Sequence, residues 1–317
     1  MNKIYLDWGR RKPHVIIRPT NSPEQIEWVP EEITTEELTK LEPHEIYIET
    51  GCPYFVKYQL LQAGHRVYQI DGKITKWERT SLDLPKTDEI DATLIGMFEQ
   101  SEPALFKELT EKDKQRLYLQ FLVGQLDRYT RQCTRLKNTD SSLVAEFNKH
   151  DEYIEQSINF LEERKEQLLS RISPLTYDEM KLLKDIKGVG PVLIADICAW
   201  ANPDDFHCLT DYLLTIGYKA IYKRNKQGKL VKMKKACRTK AKRTFWQITD
   251  SFVKQRTPYW RELYDKRKQE FKEKYPDYRP GKINGMAYNR VSTQFAKHVY
   301  KLFHEGQRLK TSNLGDS

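Results

Sequence analysis

Four carboxylates stand where short apolar runs end or where a helix begins. Asp7 closes the run Ile4-Tyr5-Leu6, and Glu49 closes Ile46-Tyr47-Ile48 just before Thr50-Gly51. Asp88 and Asp91 lie three residues apart in Lys86-Thr87-Asp88-Glu89-Ile90-Asp91-Ala92, a spacing that one helical turn presents on one side. Oxygen donors of this kind suit Mg²⁺ or Mn²⁺, which take carboxylates and keep other positions for water or phosphate oxygens. Two such ions about 4 Å apart clamp the attacking and leaving oxygens of a phosphodiester. Asp7, Glu49, Asp88 and Asp91 are therefore the candidate metal ligands and catalytic residues.

Each acid also has an ordinary structural reading. Asp7, before Trp8-Gly9, can simply end a strand; Asp88 can cap a helix, with Asp91 in its favourable first turn. Taken singly, these readings are at least as good as the chemical one. The combination favours chemistry, because Glu49 puts a charge at the carboxyl edge of a sheet, where α/β proteins build their sites.

The charge distribution separates two modules. The chain has 317 residues and a net charge of +9, but residues 1–100 carry 12 Lys and Arg against 17 Asp and Glu. Residues 101–175 carry 12 against 13, and residues 176–317 carry 30 against 15. An acidic site in one part and a phosphate-holding surface in another suit a nucleic-acid partner. The five cysteines, Cys52, Cys133, Cys198, Cys208 and Cys237, form no CxxC pair and no zinc spacing, which points to a reducing, cytoplasmic setting. No apolar run approaches the length of a membrane span, and no signal-peptide core follows Met1.

The elements that must position the acids follow from periodicity. Residues 3–8, 14–18 and 26–29 read as three antiparallel strands, 45–49 as a fourth, Tyr54 to Gln62 as a helix stopped by Ala63-Gly64, and 65–70 as a fifth strand. That order predicts a ribonuclease-H-like α/β domain over residues 1–103. Residues 104–175 read as a helical hairpin or coiled-coil connector, with stripes at Leu122, Leu126, Tyr129, Cys133 and Leu136 and at Ile154, Ile158, Leu161, Lys165, Leu168 and Ile172. Asn138-Thr139-Asp140-Ser141-Ser142 supplies the expected turn between the two helices. The stripe serves either an intrachain partner or a second subunit, so a homo-oligomer, dimer or higher, is an expectation.

Residues 176–304 form the basic, mainly α module, and residues 305–317 are expected to fray as a tail. Ile186-Lys187-Gly188-Val189-Gly190-Pro191 matches a helix-hairpin-helix turn, in which Gly188 and Gly190 let backbone N–H groups approach a phosphate. An ordinary helical hairpin with a glycine stop reads equally well. Between Lys219 and Arg243 there are twelve basic residues and no acidic one. Besides Lys219 they are Lys223, Arg224, Lys226, Lys229, Lys232, Lys234, Lys235, Arg238, Lys240, Lys242 and Arg243. Most charge runs are solvated faces, but one so dense repels itself without a phosphate-bearing partner. Aromatics follow it, among them Trp246, Tyr259, Trp260 and Tyr288; helical spacing makes most of them core, with some open to stacking on unpaired bases.

Taken in order, Leu6-Asp7-Trp8-Gly9, Ile48-Glu49-Thr50-Gly51, Lys86-Thr87-Asp88-Glu89-Ile90-Asp91-Ala92 and Ile186-Lys187-Gly188-Val189-Gly190-Pro191 resemble the signatures of the DEDD-type insertion-sequence transposases, which include the Piv-like DNA invertases. Tyr212-Leu213-Leu214-Thr215-Ile216-Gly217 stands where that family has an Ala-Gly-Leu segment. The resemblance implies a RuvC-like DEDD nuclease domain, a coiled-coil connector and a C-terminal transposase domain that recombine double-stranded DNA, guided by a structured noncoding RNA. It also implies Asp7, Glu49, Asp88 and Asp91 as the metal ligands.

One departure is plain. The family places a nucleophilic serine in a Ser-Gly step soon after the segment matched by Gly217, yet this chain has no serine between Ser173 and Ser251. The position falls near Asn225, and an amide cannot attack a phosphodiester. Thr215, Tyr218, Tyr222 and Thr239 carry the nearby hydroxyls, none in a Ser-Gly-like context. The leading expectation is a transposase or site-specific recombinase of a mobile element. A RuvC-like metal-dependent nuclease or junction resolvase without a protein nucleophile, and a non-catalytic nucleic-acid-binding relative, are the alternatives. An actin-like sugar kinase fits worse, because no second glycine-rich phosphate loop is present.

Overall fold

The computed structural model describes residues 2–8, 14–19, 28–219, 222–224, 230–232 and 239–312. They fall into two compact units, residues 1–121 and 122–317.

Unit 1 is a mixed sheet with helices, compatible with a ribonuclease-H-like fold. Its strands are β1 (Lys3–Asp7), β2 (His14–Pro19), β3 (Trp28–Ile33), β4 (Glu45–Glu49), β5 (Arg66–Ile70) and the short β6 (Lys107–Glu108), in the order β3-β2-β1-β4-β5-β6. β1, β4 and β5 run parallel, while β2, β3 and β6 are antiparallel to their neighbours. The helices are α1 (Thr35–Lys40), α2 (Tyr54–Gln62), α3 (Gly72–Ser81) and α4 (Asp88–Ser101). The third strand runs to Ile33 rather than stopping at residue 29. It continues through Pro30 because β3 is an edge strand, where a residue without an N–H costs no ladder bond on the open side.

Strand alternation sorts side chains between two cores. Ile4 and Leu6 of β1 and Ile46 and Ile48 of β4 pack on one face with Leu38 of α1, Val56 and Leu60 of α2, and Leu117. Tyr5 and Tyr47 face the other way, onto Ile95 and Phe98 of α4. Asp7 and Glu49, two residues beyond these tyrosines, therefore lie on the α4 face of the sheet.

α5 (Glu111–Phe147) begins in unit 1, where Tyr118 and Phe121 stack on Tyr58 and Phe55 at 4.7 and 4.4 Å, and continues in unit 2. The expected turn at 138–142 is not there; the helix runs through it. Thr139, Ser141 and Ser142 bond back to the carbonyls of Arg135, Lys137 and Asn138, so their hydroxyls are satisfied inside the helix. The chain reverses at residues 148–151 instead. Asp151 caps α6 (Glu152–Ile172) by accepting from the N–H groups of Tyr153 and Ile154, and Lys137 pairs with Glu162 at 3.0 Å as α6 returns along α5.

Beyond a short 3₁₀ turn follow α7 (Tyr177–Leu183), α8 (Pro191–Trp200), α9 (Leu209–Thr215), the hairpin β7 (Tyr222–Arg224) and β8 (Leu230–Lys232), α10 (Thr239–Lys254), α11 (Trp260–Lys274) and α12 (Pro280–Ser312). α12 thus extends past residue 304, where fraying was expected, and residues 313–317 lie outside the described set. Phe245 and Phe252 of α10, Trp260 of α11 and Phe295 of α12 meet edge-to-face or stacked and form the centre of this unit. Among the described residues no helix is long and apolar enough to cross a membrane.

Asp196 of α8 is buried where α8 meets α10, with Trp200 donating to it. Burial pushes its carboxyl up to about 6, with Asp127 adding to the rise and Arg243 and Lys240 opposing it. A carboxyl that binds its proton more tightly when folded favours folding below its unfolded value and loses that contribution as pH rises through about 6. Asp196→Asn, which keeps an acceptor for Trp200, should therefore stabilise the protein above pH 7 by up to about 3 kcal/mol. The gain should shrink toward pH 4, as thermal unfolding across pH will show.

Candidate active site

The sheet brings Asp7 and Glu49 to one edge by register. Leu6 pairs with Ile48 in the parallel ladder, so the next residue on each strand is one of the two carboxylates, with neighbouring strands about 4.8 Å apart. α4 brings the other two. Thr87 is its N-cap, accepting from the N–H of Ile90 at 3.2 Å, which leaves Asp88 free of the capping role that the sequence allowed it. Asp88 is exposed and Asp91 is buried at 6% exposure.

α4 is tied to β1 at its far end. Glu99 accepts from Lys3 Nζ at 2.7 Å and from Tyr5 OH at 2.9 Å, both side chains on the same strand face as Asp7. With Ile95 and Phe98 seated against Tyr5 and Tyr47, this bond pair fixes where the first turn of α4 comes to rest.

The electrostatics show one shared field. Burial pushes the Asp7 carboxyl up to about 7, and Asp91, Asp88 and Glu49, in that order, add to the rise, while a hydrogen bond from the Trp8 backbone N–H opposes it. A buried carboxyl with three further acids acting on it marks a place where a cation is favoured.

Three residues of α3 that sequence reasoning missed complete the arrangement. Thr75 donates its hydroxyl to Glu49 Oε1, and Arg79 pairs through Nη1 with Asp91 Oδ1, their side chains only 12% and 9% exposed. Gly72 closes in on the same carboxylate: a Cβ at this position would lie 2.6 Å from Glu49 Oε2. Gly72, Thr75 and Arg79 sit at i, i+3 and i+7, one face of a helix. That spacing was readable in the sequence, but nothing there aimed the face at the acids.

The four acids are an all-oxygen donor set. Among the described residues no group of three or more His, Cys, Asp or Glu side chains is arranged to hold a metal ion. Mg²⁺ commonly takes one or two carboxylates and fills its other positions with water and substrate phosphate oxygens. That mode asks for few protein donors, and Asp7 and Asp88 are the two acids with no side-chain hydrogen bond or ion pair among the described residues.

In unit 2 the glycine turn forms as expected, but its two glycines differ. Gly188 has φ +93°, and a Cβ on it would meet Phe252 and Ser251 at 3.2 Å, so it faces the protein. Thr257 Oγ1 holds the adjoining Lys187 carbonyl at 3.0 Å. Gly190, the N-cap of α8, faces open space. Of the basic run, Lys240 lies 3.8 Å from the Trp200 ring centre, Lys242 lies 5.9 Å from that of Tyr218, and Arg243 pairs with Asp127 at 3.0 Å. Lys226, Lys229, Lys234, Lys235 and Arg238 lie outside the described residues, as do the side chains of Lys223, Arg224 and Lys232. The expected base-stacking aromatics are largely engaged with one another, as in Trp246 on Tyr288 at 4.8 Å and Tyr275 on Tyr278 at 4.9 Å.

The sequence matches no model of a known protein family, and no curated protein matches it.

Removing one partner of the buried Arg79–Asp91 pair leaves the other charge uncompensated. Arg79→Ala should cost about 3 kcal/mol in urea unfolding. The double variant Arg79→Ala/Asp91→Ala should recover most of the loss, and additive losses would show that the pair is not coupled.

Proposed function

We propose that this chain is a metal-dependent DNA strand-cleaving enzyme, a transposase or site-specific recombinase of a mobile element of the DEDD type, acting on double-stranded DNA with a structured guide RNA. One observation carries the reading: the carboxylates from β1, β4 and α4 that the motif resemblance names also share one electrostatic field centred on Asp7. A purely structural role would not gather acids that oppose one another.

Asp7, Glu49, Asp88 and Asp91 would hold Mg²⁺ or Mn²⁺, which when bound supplies Lewis-acid stabilisation of the phosphodiester oxygens. The chain's own residues position that chemistry. Thr75 orients Glu49 through its hydroxyl, Arg79 balances Asp91, and the Glu99 bonds hold α4 against β1. The basic C-terminal module supplies the positive charge that holds the phosphates of DNA and RNA.

A second reading, a nuclease or junction resolvase without a protein nucleophile, is favoured by the missing serine. Cleaved DNA is trapped with the protein, denatured, and searched for a DNA-linked peptide. A link within residues 210–250 supports the recombinase, and metal-dependent cleavage with no adduct supports the nuclease.

Asp7→Ala, Glu49→Ala or Asp88→Ala should abolish cleavage or strand exchange with the fold retained by circular dichroism. Normal Mg²⁺-dependent activity of soluble Asp7→Ala would sink the proposal.

Binding should be electrostatic. Neutralising Lys232, Lys234 and Lys235 together should weaken DNA affinity and reduce the slope of log K against log salt by up to about 3. An unchanged slope would make the basic run a solvated face.

A further inference from the structure

α3 has two faces, and only one is used by the acids. Gly72, Thr75 and Arg79 turn inward to Glu49 and Asp91. Lys73, Lys76, Trp77 and Thr80, at i, i+3, i+4 and i+7, are all exposed and form a second, adjoining stripe that faces solvent. Trp77 is 69% exposed, more than any other tryptophan whose side chain is described, and no hydrogen bond or ring contact engages it among the described residues. Packing does not explain a large aromatic in that position. Lys76 precedes it in sequence, and Lys73, one turn back on the helix, has its ammonium 3.6 Å from Asp71 with most of its surface in water. Lys76 has no ion-pair partner among the described residues.

A flat π-surface flanked by flexible cations is the pairing that unpaired nucleotides recognise: the ring takes a base face, and the ammonium groups take the phosphates on either side. A blunt duplex offers no free base face to such a group. We propose that the outward face of α3, Trp77 with Lys73 and Lys76, is a stacking platform for an unpaired nucleotide of the strand delivered to the carboxylate cluster. The site lies on the same helix as the side chains that engage the acids. A base stacked there places its strand beside the acids and couples strand engagement to the helix that carries Thr75 and Arg79. The inference rests on the reading of the cluster as a nucleic-acid-cleaving site.

The test uses the full chain in EDTA, with fluorescence anisotropy on a labelled blunt duplex and on the same duplex carrying a single-stranded overhang. Trp77→Ala should weaken overhang binding about tenfold or more and leave the blunt duplex unchanged, and Trp77→Phe should retain most of the affinity. Because Trp77 is exposed, the melting temperature of both variants should match that of the unaltered chain. Three outcomes overturn the proposal while leaving the cleavage reading in place. These are equal affinities for Trp77→Ala and the unaltered chain on both probes, an equal loss on both, or a change in oligomeric state that marks the face as a protein contact. If the unaltered chain binds neither probe, the cleavage reading falls with the proposal.

Discussion

Holding carboxylates together against their mutual repulsion is the constraint around which unit 1 is built. Burial keeps the proton on Asp7 up to about 7, with Asp91, Asp88 and Glu49 adding to the rise, and such a cluster persists only if stronger forces fix the elements that carry it. Three do so. The parallel register sets Asp7 and Glu49 on adjacent strands, apolar packing seats Ile95 and Phe98 of α4 on Tyr5 and Tyr47, and Glu99 accepts from Lys3 and Tyr5 at the far end of the same helix. Arg79 then balances one of the acids, and Thr75 fixes another.

α3 shows why a site can be half legible in a sequence. The acids announced themselves because each ends or begins an element with a clear period, Ile46 and Ile48 before Glu49 and the capped turn before Asp91. Gly72, Thr75 and Arg79 have helical spacing too, but none has a distinctive chemistry alone, and their partners lie 23, 26 and 12 residues away in sequence. Only the fold brings them to the acids. The same limit explains α1, a six-residue helix carried by a Thr34–Glu37 capping box and a single buried side chain, Leu38, too short for periodicity to reveal.

The misread connector has a different cause. Asn138 to Ser142 has the composition of a turn, yet composition only says that polar groups must be satisfied somewhere, and within α5 the Thr139, Ser141 and Ser142 hydroxyls find carbonyls one turn back. Asp140 does take part in the reversal, but from inside the helix, receiving His150 Nδ1 at 2.9 Å and the N–H of Asp151 at 3.4 Å. The glycine turn before α8 was readable because it needs what few residues supply, a positive φ at Gly188 and a ring at Pro191.

The hydroxyls near the absent serine can be sorted by what they already do. Tyr218 donates to the Lys242 carbonyl at 3.1 Å, so attack would require it to leave that bond. Tyr212 is fully buried, and burial raises its phenol well above the usual value, which makes the phenolate that attack requires costly to form. Thr239 stands exposed at the first turn of α10, where a helix N-terminus favours an anion, although a threonine hydroxyl still needs a base to activate it. Hydrolysis makes no such demand: its nucleophile is water, and the acids that would direct it belong to unit 1 alone, held by bonds that unit 1 supplies. The covalent route asks unit 2 for a hydroxyl and a base to activate it, with Tyr218 bonded and Tyr212 buried, whereas the hydrolytic route would ask only for water and the acids at the sheet edge where Asp7 and Glu49 meet α4.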